Sequence, residues 1–379
     1  MNRPTDEYGF TRMNLFFELL QMALGMRDHL SRVPTAVEWE EMYDEAVRQA
    51  VASLMVSVIE RLPAEQSPPI DIKYEWIGDL QAYETQNKWL NAEARRLTEV
   101  FAAEGRRSAI LKGQANALLY PNRLLRKPGD IDIWVEGGRK SVKELLDRLG
   151  MTDDRTTSSY HHFHLSRNEQ GIVVEVHFRP SSGNQNPWTN RRLQRFLNDE
   201  LSQLSTCEEG FCVPSVPFAL VMQLAHIQRH FFGGGVGLRQ IVDYLMLLRS
   251  STADERAVVS RHLKRFGLLH FAGALMWLLS ETMNMEAGLM LCEPDGKRGR
   301  RLLSDVMEGG SFGSYRERMQ IGLFRGFFKG RLRQLSLVSF DYPEGIWAVI
   351  DFWKEFVRLI PKRIAKRRLS LRGGYDDGD

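Results

Sequence analysis

Cysteine is scarce: Cys207, Cys212 and Cys292 are all that 379 residues hold. Three thiols cannot build a disulfide framework, so the expected state is reduced, as in a cytosolic protein. Long apolar runs are missing as well. The most apolar stretch, Leu268–Leu279, is shorter than the roughly 20 residues a membrane span needs, and it contains His270 and Gly273. The opening residues MNRPTDEYGF lack an apolar leader segment, so no secretory signal is expected. Nor does one sign of charge dominate. With 51 Lys+Arg against 48 Asp+Glu the net charge is +3, which argues against nucleic acid as a partner. No repeat of solenoid period occurs. What is present, 43% hydrophobic and 26% charged residues, excludes wholesale disorder, collagen and coiled-coil rods. The expectation is an ordinary globular protein of the cytoplasm with two or three structural units.

The first hundred residues have helical patterning. Asn14–Leu24 is dense in apolar residues at helical spacing. Thr35 with Glu38 three residues on predicts a capping box, opening a helix that runs to about Leu62 before Pro63. A long polar helix is expected from Trp76 to Ala103, with Gly105 as its C′ glycine. From Ser108 the texture changes. Short runs rich in Ile and Val (SAILKG, GDIDIWVEGG, YHHFHLS, GIVVEVHFRP) are bounded by glycine and read as strands. Helical patterning is expected again from Asn190 to about Ile364. The predicted fold class is α+β, a small mixed β-sheet embedded in mainly α-helical N- and C-terminal regions. The predicted units are residues 1–104 (helical), 105–189 (sheet core), 190–369 (helical) and a disordered tail, 370–379.

The chemistry concentrates in Leu111–Val135, LKGQANALLYPNRLLRKPGDIDIWV. In a strand, residues i and i+2 project to one face, so Asp130 and Asp132 point together while Ile131 and Ile133 face the core. Paired carboxylates repel unless a cation lies between them or one is protonated, and the economical reason to pair them is a divalent metal such as Mg²⁺. In Val173-Val174-Glu175-Val176-His177 the same alternation puts Glu175 and His177 on one face. If the two strands are neighbours, three acids converge, and two metals about 3.5–4 Å apart would clamp a phosphoryl transfer.

Lys112-Gly113, then Gly129-Asp130-Ile131-Asp132, then Glu175 resembles the nucleotidyltransferase superfamily that includes DNA polymerase β. LKGxxxAxxYPxxxxRxxGDIDIWV followed by VEVHFRP is similar, more closely, to a bacterial branch called uncharacterised nucleotidyltransferases. So is a third block: His226–His230, Gly235–Gln240 and Asp243. The resemblance covers about residues 105–250. It implies metal ligation and catalysis by Asp130, Asp132 and Glu175, with Mg²⁺ or Mn²⁺ as cofactor. An NTP such as ATP would give its NMP to a hydroxyl acceptor, with Glu175 or Asp132 taking the proton and pyrophosphate leaving. The acceptor would be a sugar, a metabolite, a protein side chain or a nucleic-acid end. Lys112-Gly113 stands where the superfamily has Gly-Ser. Nucleotide and phosphate contacts therefore fall to Lys112, Gly113, Arg126, Gly129 and Arg239.

Each residue also has a plainer reading. Gly113 and Gly129 suit turns, Lys112 a solvated surface, and Glu175 an ion pair with Arg179. His162 and His164 share a strand face, with His161 on the other. Zinc there lacks a cysteine or a second cluster, and support of the substrate site competes with ordinary strand surface. His226 and His230 share a helix face without the Glu of a zinc-protease helix. His177, His226, His230 and Asp243 are expected around the site. Arg239 and Asp243, four apart, either pair or leave Arg239 for phosphate. The basic run from Lys362 to Arg372 reads as a solvated helix end. The competing function is a non-catalytic nucleotide-binding or interaction protein on the same scaffold. A two-carboxylate glycosidase fits less well, since its acids usually sit on different elements.

Overall fold

The computed structural model describes residues 7–78, 80–311 and 332–365. The chain opens with helices α1 (Glu7–Ala23), α2 (Ala36–Arg48), α3 (Ala52–Ile59), α4 (Ile70–Gly78) and α5 (Leu80–Ala103). The capping box at Thr35 forms, with both the Thr35 side chain and the Glu38 side chain closing it. The helix it opens does not run on to Leu62. It ends at Gln49, where Ala50 adopts φ 59°, and α3 restarts two residues later. No glycine or proline marks that break. The bend is held instead by the Gln49 amide, which donates to the Val306 carbonyl at 3.1 Å and accepts from the Leu238 amide at 3.1 Å.

The sheet follows. Strands β1 (Ser108–Ile110), β2 (Ile131–Val135), β3 (Thr157–Ser158), β4 (His162–His164) and β5 (Val174–His177) lie in the order β1-β2-β5-β4-β3. Only β2 and β5 are parallel, so the sheet is mixed. The short helix α6 (Gln114–Ala117) follows β1, and α7 (Arg139–Arg148) follows β2. One face carries Ile131, Ile133, Val135, Phe163, Val174 and Val176, and packs on α7 and on Leu90, Ala94, Leu97 and Phe101 of α5. That face is a core of its own, as alternation along apolar strands demands.

Beyond the sheet come α8 (Pro187–Glu200), a β6–β7 hairpin (Leu204–Thr206 and Cys212–Pro214), α9 (Val216–Phe232), α10 (Leu238–Ser250), α11 (Ala253–Phe266), α12 (Leu269–Met283), α13 (Gly296–Gly309), α14 (332–338) and α15 (Tyr342–Ala365). The hairpin interrupts what reads as continuous helix. The apolar run at Leu268–Leu279 is α12, buried among other helices. Among the described residues no helix is long and apolar enough to cross a membrane. Residues of α1–α4 share one continuous core with residues of α8–α13. Gln21 of α1 donates to the Thr282 carbonyl at 2.9 Å, and Arg249 donates to the Leu24 carbonyl at 2.7 Å. The architecture is therefore α+β, a small mixed sheet inside helices from both parts of the chain. Most of the basic run and the tail 370–379 lie outside the described residues.

Candidate active site

The second face of the sheet is polar. Ladder register places Asp132 opposite Glu175 across the parallel β2/β5 pair, His164 opposite Glu175, and His162 opposite His177. Alternation then turns Asp132, Glu175, His177, His162 and His164 away from the apolar core. Asp132, Glu175, His162 and His177 are all buried. His177 Nε2 lies 3.0 Å from Asp132 Oδ1 and 3.6 Å from Glu175 Oε2. Glu175 does not pair with Arg179, whose guanidinium lies over the Tyr160 ring at 4.2 Å.

Lys112 reaches this face from the turn after β1. Its Nζ lies 3.2 Å from Asp132 Oδ2. The turn is built for that approach. Gly113 adopts φ +62°, and a Cβ there would sit 3.3 Å from the Asp130 carbonyl oxygen. A side chain would thus meet both the left-handed backbone and the β2 approach, so glycine is required. Below the turn, Asn116 and Gln223 exchange reciprocal amide bonds at 3.0 and 2.6 Å, fastening α6 to α9. Gln114 donates to Asn91 of α5 at 2.5 Å.

Asp130 precedes β2 rather than lying in it, and is half-buried. It joins no group of three donors within mutual ligating reach among the described residues; the groups that form use Asp132, Glu175 and His177, or histidines. Its charge nonetheless acts on Lys112, Glu175 and Arg239. Burial works against the Lys112 ammonium, but Asp132, Asp130 and Glu175 outweigh it and raise its pKa. Burial opposes ionisation of Glu175, yet the His177 hydrogen bond and the Lys112 charge hold it well below the usual range. Burial also disfavours charge on His177, but Asp132 and Glu175 overcome it and raise the imidazole pKa.

Two expected phosphate contacts come out differently. Arg126 is buried, and its Nε and Nη2 donate to Asp243 Oδ1 and Oδ2 at 2.8 and 2.7 Å. Tyr120 donates to the same Asp243 Oδ1 at 2.7 Å. The Arg126 guanidinium is thus committed to a carboxylate rather than left for phosphate, while Arg239 also acts on the Asp243 charge. Arg239 brings Nη1 alongside the exposed Gly129, 3.8 Å from where a Cβ would stand, next to Asp130. Burial and the Arg126 charge push its pKa down.

His161 is a second correction. It precedes β4, so strand alternation does not govern it. Its ring packs on His162 and His177 at centroid distances of 4.4 and 5.1 Å. Burial, then the His177 and His162 rings, push its pKa far down. His226 stacks edge-on with His230 at 4.3 Å, and its pKa is lowered by burial and by charge on Lys112, His230, His161 and His177. His162, His164 and His177 thus gather round the acids with His161 packed on them, and His226 with His230 lies within electrostatic reach of that group. Sequence reasoning missed His161 and Tyr120; the run His161-His162-Phe163-His164 and the Tyr120-Pro121 dipeptide were the available signals.

The donors fit a divalent cation. Asp132 Oδ2 is buried and faces the Lys112 ammonium at 3.2 Å. Two carboxylates, Asp132 and Glu175, thus share one buried face, an arrangement that favours bound cations. Asp132, Glu175 and His177 offer ligand atoms within 4.8 Å of one another.

The chain is similar in structure to an antigenic nucleotidyltransferase-like protein from Paracoccidioides brasiliensis, at 13% identity and a TM-score of 0.35, over 56% of this chain and 95% of that one. No curated protein matches it in sequence. A family model described as "Uncharacterised nucleotidyltransferase" matches residues 35–284, well over half of the chain. By that match, the chain belongs to the uncharacterised nucleotidyltransferase family.

Proposed function

We propose that the protein moves an NMP from an NTP to a hydroxyl acceptor. The observation that carries this reading is the parallel β2/β5 register, which sets Asp132 against Glu175 on a buried polar face with Lys112 Nζ 3.2 Å away. Asp130, Asp132 and Glu175 would hold divalent metal, Mg²⁺ or Mn²⁺, in a two-metal arrangement, with His177 as a further ligand. When bound, such cations supply Lewis-acid charge to the phosphoryl oxygens and lower the pKa of the acceptor hydroxyl.

In the reaction, a bond forms between the acceptor oxygen and the α-phosphorus. The bond from the α-phosphorus to its bridging oxygen breaks, pyrophosphate leaves, and the hydroxyl proton passes to Glu175 or Asp132. Lys112 places a positive charge beside the acids, where charge develops on the transferring group. Arg239, next to Gly129 and Asp130, is positioned to meet the outer phosphates. Gly113 and Gly129 allow the backbone to approach the nucleotide closely. Burial of Asp132, Glu175 and His177 sets the acids in a low-dielectric wall, while partly exposed His164 and Asp130 leave the face open on one side. We also propose that residues 105–189 form the transferase core, carried by the helices on either side.

The test pairs binding with turnover. Mg²⁺ or Mn²⁺ together with an NTP should raise the melting temperature, by about 2.7 kcal/mol of stabilisation at 100 times Kd. Asp130→Asn should abolish that rise, with the free protein equally stable or slightly more so. Glu175→Gln should lower transfer at least about 100-fold. If no NTP and metal shift the wild type and Asp130→Asn unfolds it, the site is structural and the scaffold reading takes its place.

A further inference from the structure

We infer that His162, His164 and Glu175 form a binding site for a first-row transition-metal dication, chemically distinct from the carboxylate pair on β2 and β5. The site lies on the antiparallel β4/β5 ladder. His162 and His164 are two apart in β4 and share a face, and His164 sits directly opposite Glu175. One ligand atom from each of the three lies within 4.8 Å of the others.

The separations suit shared ligation as well as the long hydrogen bond that His164 Nδ1 makes with Glu175 Oε1. His162 Nδ1 is 3.3 Å from Glu175 Oε2, and His164 Nδ1 is 3.4 Å from Glu175 Oε1. Charge-assisted N–H···O bonds are shorter, about 2.7–2.9 Å. Two donors each about 2.0–2.2 Å from one cation, at about 90–110° to each other, lie roughly 3.0–3.5 Å apart. Each imidazole already stands at that spacing from one oxygen of the Glu175 carboxylate.

The surroundings fit as well. Ser159 Oγ accepts the backbone N–H groups of His161 and His162, fixing the start of β4. His161 Nε2 lies 3.1 Å from His162 Nδ1, so a further imidazole is within reach. His162 and Glu175 are buried, while the His164 side chain is 27% exposed. The cation therefore has a protein-walled side and an open side, the form of a site that takes water or substrate as its last ligand. Two imidazole nitrogens and one carboxylate select Zn²⁺, Fe²⁺ or Co²⁺ over Mg²⁺, which demands oxygen. The site shares Glu175 with the transfer reading but does not rest on it.

The test uses the full chain, stripped of metal by chelation and titrated with Co²⁺ alone. Visible d–d absorption should grow to saturation, persist under about a 100-fold excess of Mg²⁺, and vanish when Zn²⁺ is added. His164→Ala, at the rim, should weaken Co²⁺ binding by at least about 10-fold, and His162→Ala likewise. Circular dichroism without metal checks that each variant folds. Bands that Mg²⁺ removes, or that survive in both folded histidine variants, overturn the inference. Should a variant fail to fold, Mg²⁺ competition in wild type still decides. Co²⁺ bands without NMP transfer would sink the transferase reading alone. Transfer without the bands would sink this one alone.

Discussion

Arg126 and Asp243 meet through two parallel hydrogen bonds in a buried setting, and Tyr120 caps the same carboxylate. Removing one member leaves a buried charge without its partner. Arg126→Met should therefore cost about 3–5 kcal/mol. Arg126→Met with Asp243→Leu should recover part of that loss, because the paired charges leave together while buried Arg239 loses one of the carboxylates acting on it. Urea midpoints of the single and double variants check it, and a double variant no better than the single would refute it. The spacing of Arg239 and Asp243 reported a shared helix face but not the guanidinium that hydrogen-bonds both Asp243 oxygens. The partner came from Arg126, in the loop before β2, which i,i+4 reasoning cannot see. Asp132 and Glu175 were legible because strand alternation needs only local pattern. His161 was not, because it stands one residue outside the strand where alternation begins.

Among the elements, the N-terminus of α15 is docked by one carboxylate. Glu344 Oε2 accepts the Gln185 and Asn186 amides at 3.1 and 3.0 Å, and Oε1 accepts the Thr189 hydroxyl at 2.8 Å. Burial, aided by Asp341, raises its pKa to about 7 against the pull of those donors. The native protein thus binds this proton more tightly than the unfolded chain does. The contribution of the group to stability is full below the ordinary carboxylate pKa and is lost as pH rises through about 7. The loss is on the order of 3 kcal/mol. Glu344→Gln should raise the melting temperature at pH 8 and flatten its dependence between pH 5 and 8 relative to wild type. Parallel melts across that range measure it, and parallel slopes for the two proteins would refute it. Nothing in the sequence near Glu344 announces this, because its donors lie about 155–159 residues away. The same holds for the break at Ala50, which is set by Gln49 reaching α13 and α10 rather than by a local breaker. The β6–β7 hairpin had a local signal, Glu208-Glu209-Gly210 with Gly210 at φ +85°, but its strands are too short to show a period.

At the scale of the whole molecule there are two cores, and neither follows the linear order of the chain. The sheet buries one face against α5, which precedes it, while Trp134 on its other face packs into the large helical core. A fragment of residues 105–189 therefore keeps α7 on one face but loses α5 there, and leaves the other face without its helical cover. It should remain largely unfolded or aggregate, seen as poor amide dispersion and weak far-UV ellipticity. A well-dispersed spectrum from that fragment would show that the sheet stands alone. The fold class was legible because the change from helical to strand-like texture at Ser108 is local. The joining of the first helices to the last was not, because apolar periodicity says that a face is buried and not against what.

That joining has a consequence for how the chain is made. The apolar faces of α1–α4 are completed by α9–α13, which are synthesised some 200 residues later. At about 5–20 residues per second, the first helices wait roughly 10–40 s on the ribosome with their partners still unmade. During that interval Leu15, Leu19, Leu20, Trp39 and Met55, all nearly inaccessible in the finished protein, have no permanent cover. The newborn chain is thus a natural client for chaperones that hold exposed apolar segments, and its yield depends on the pace of translation through α9 and α12.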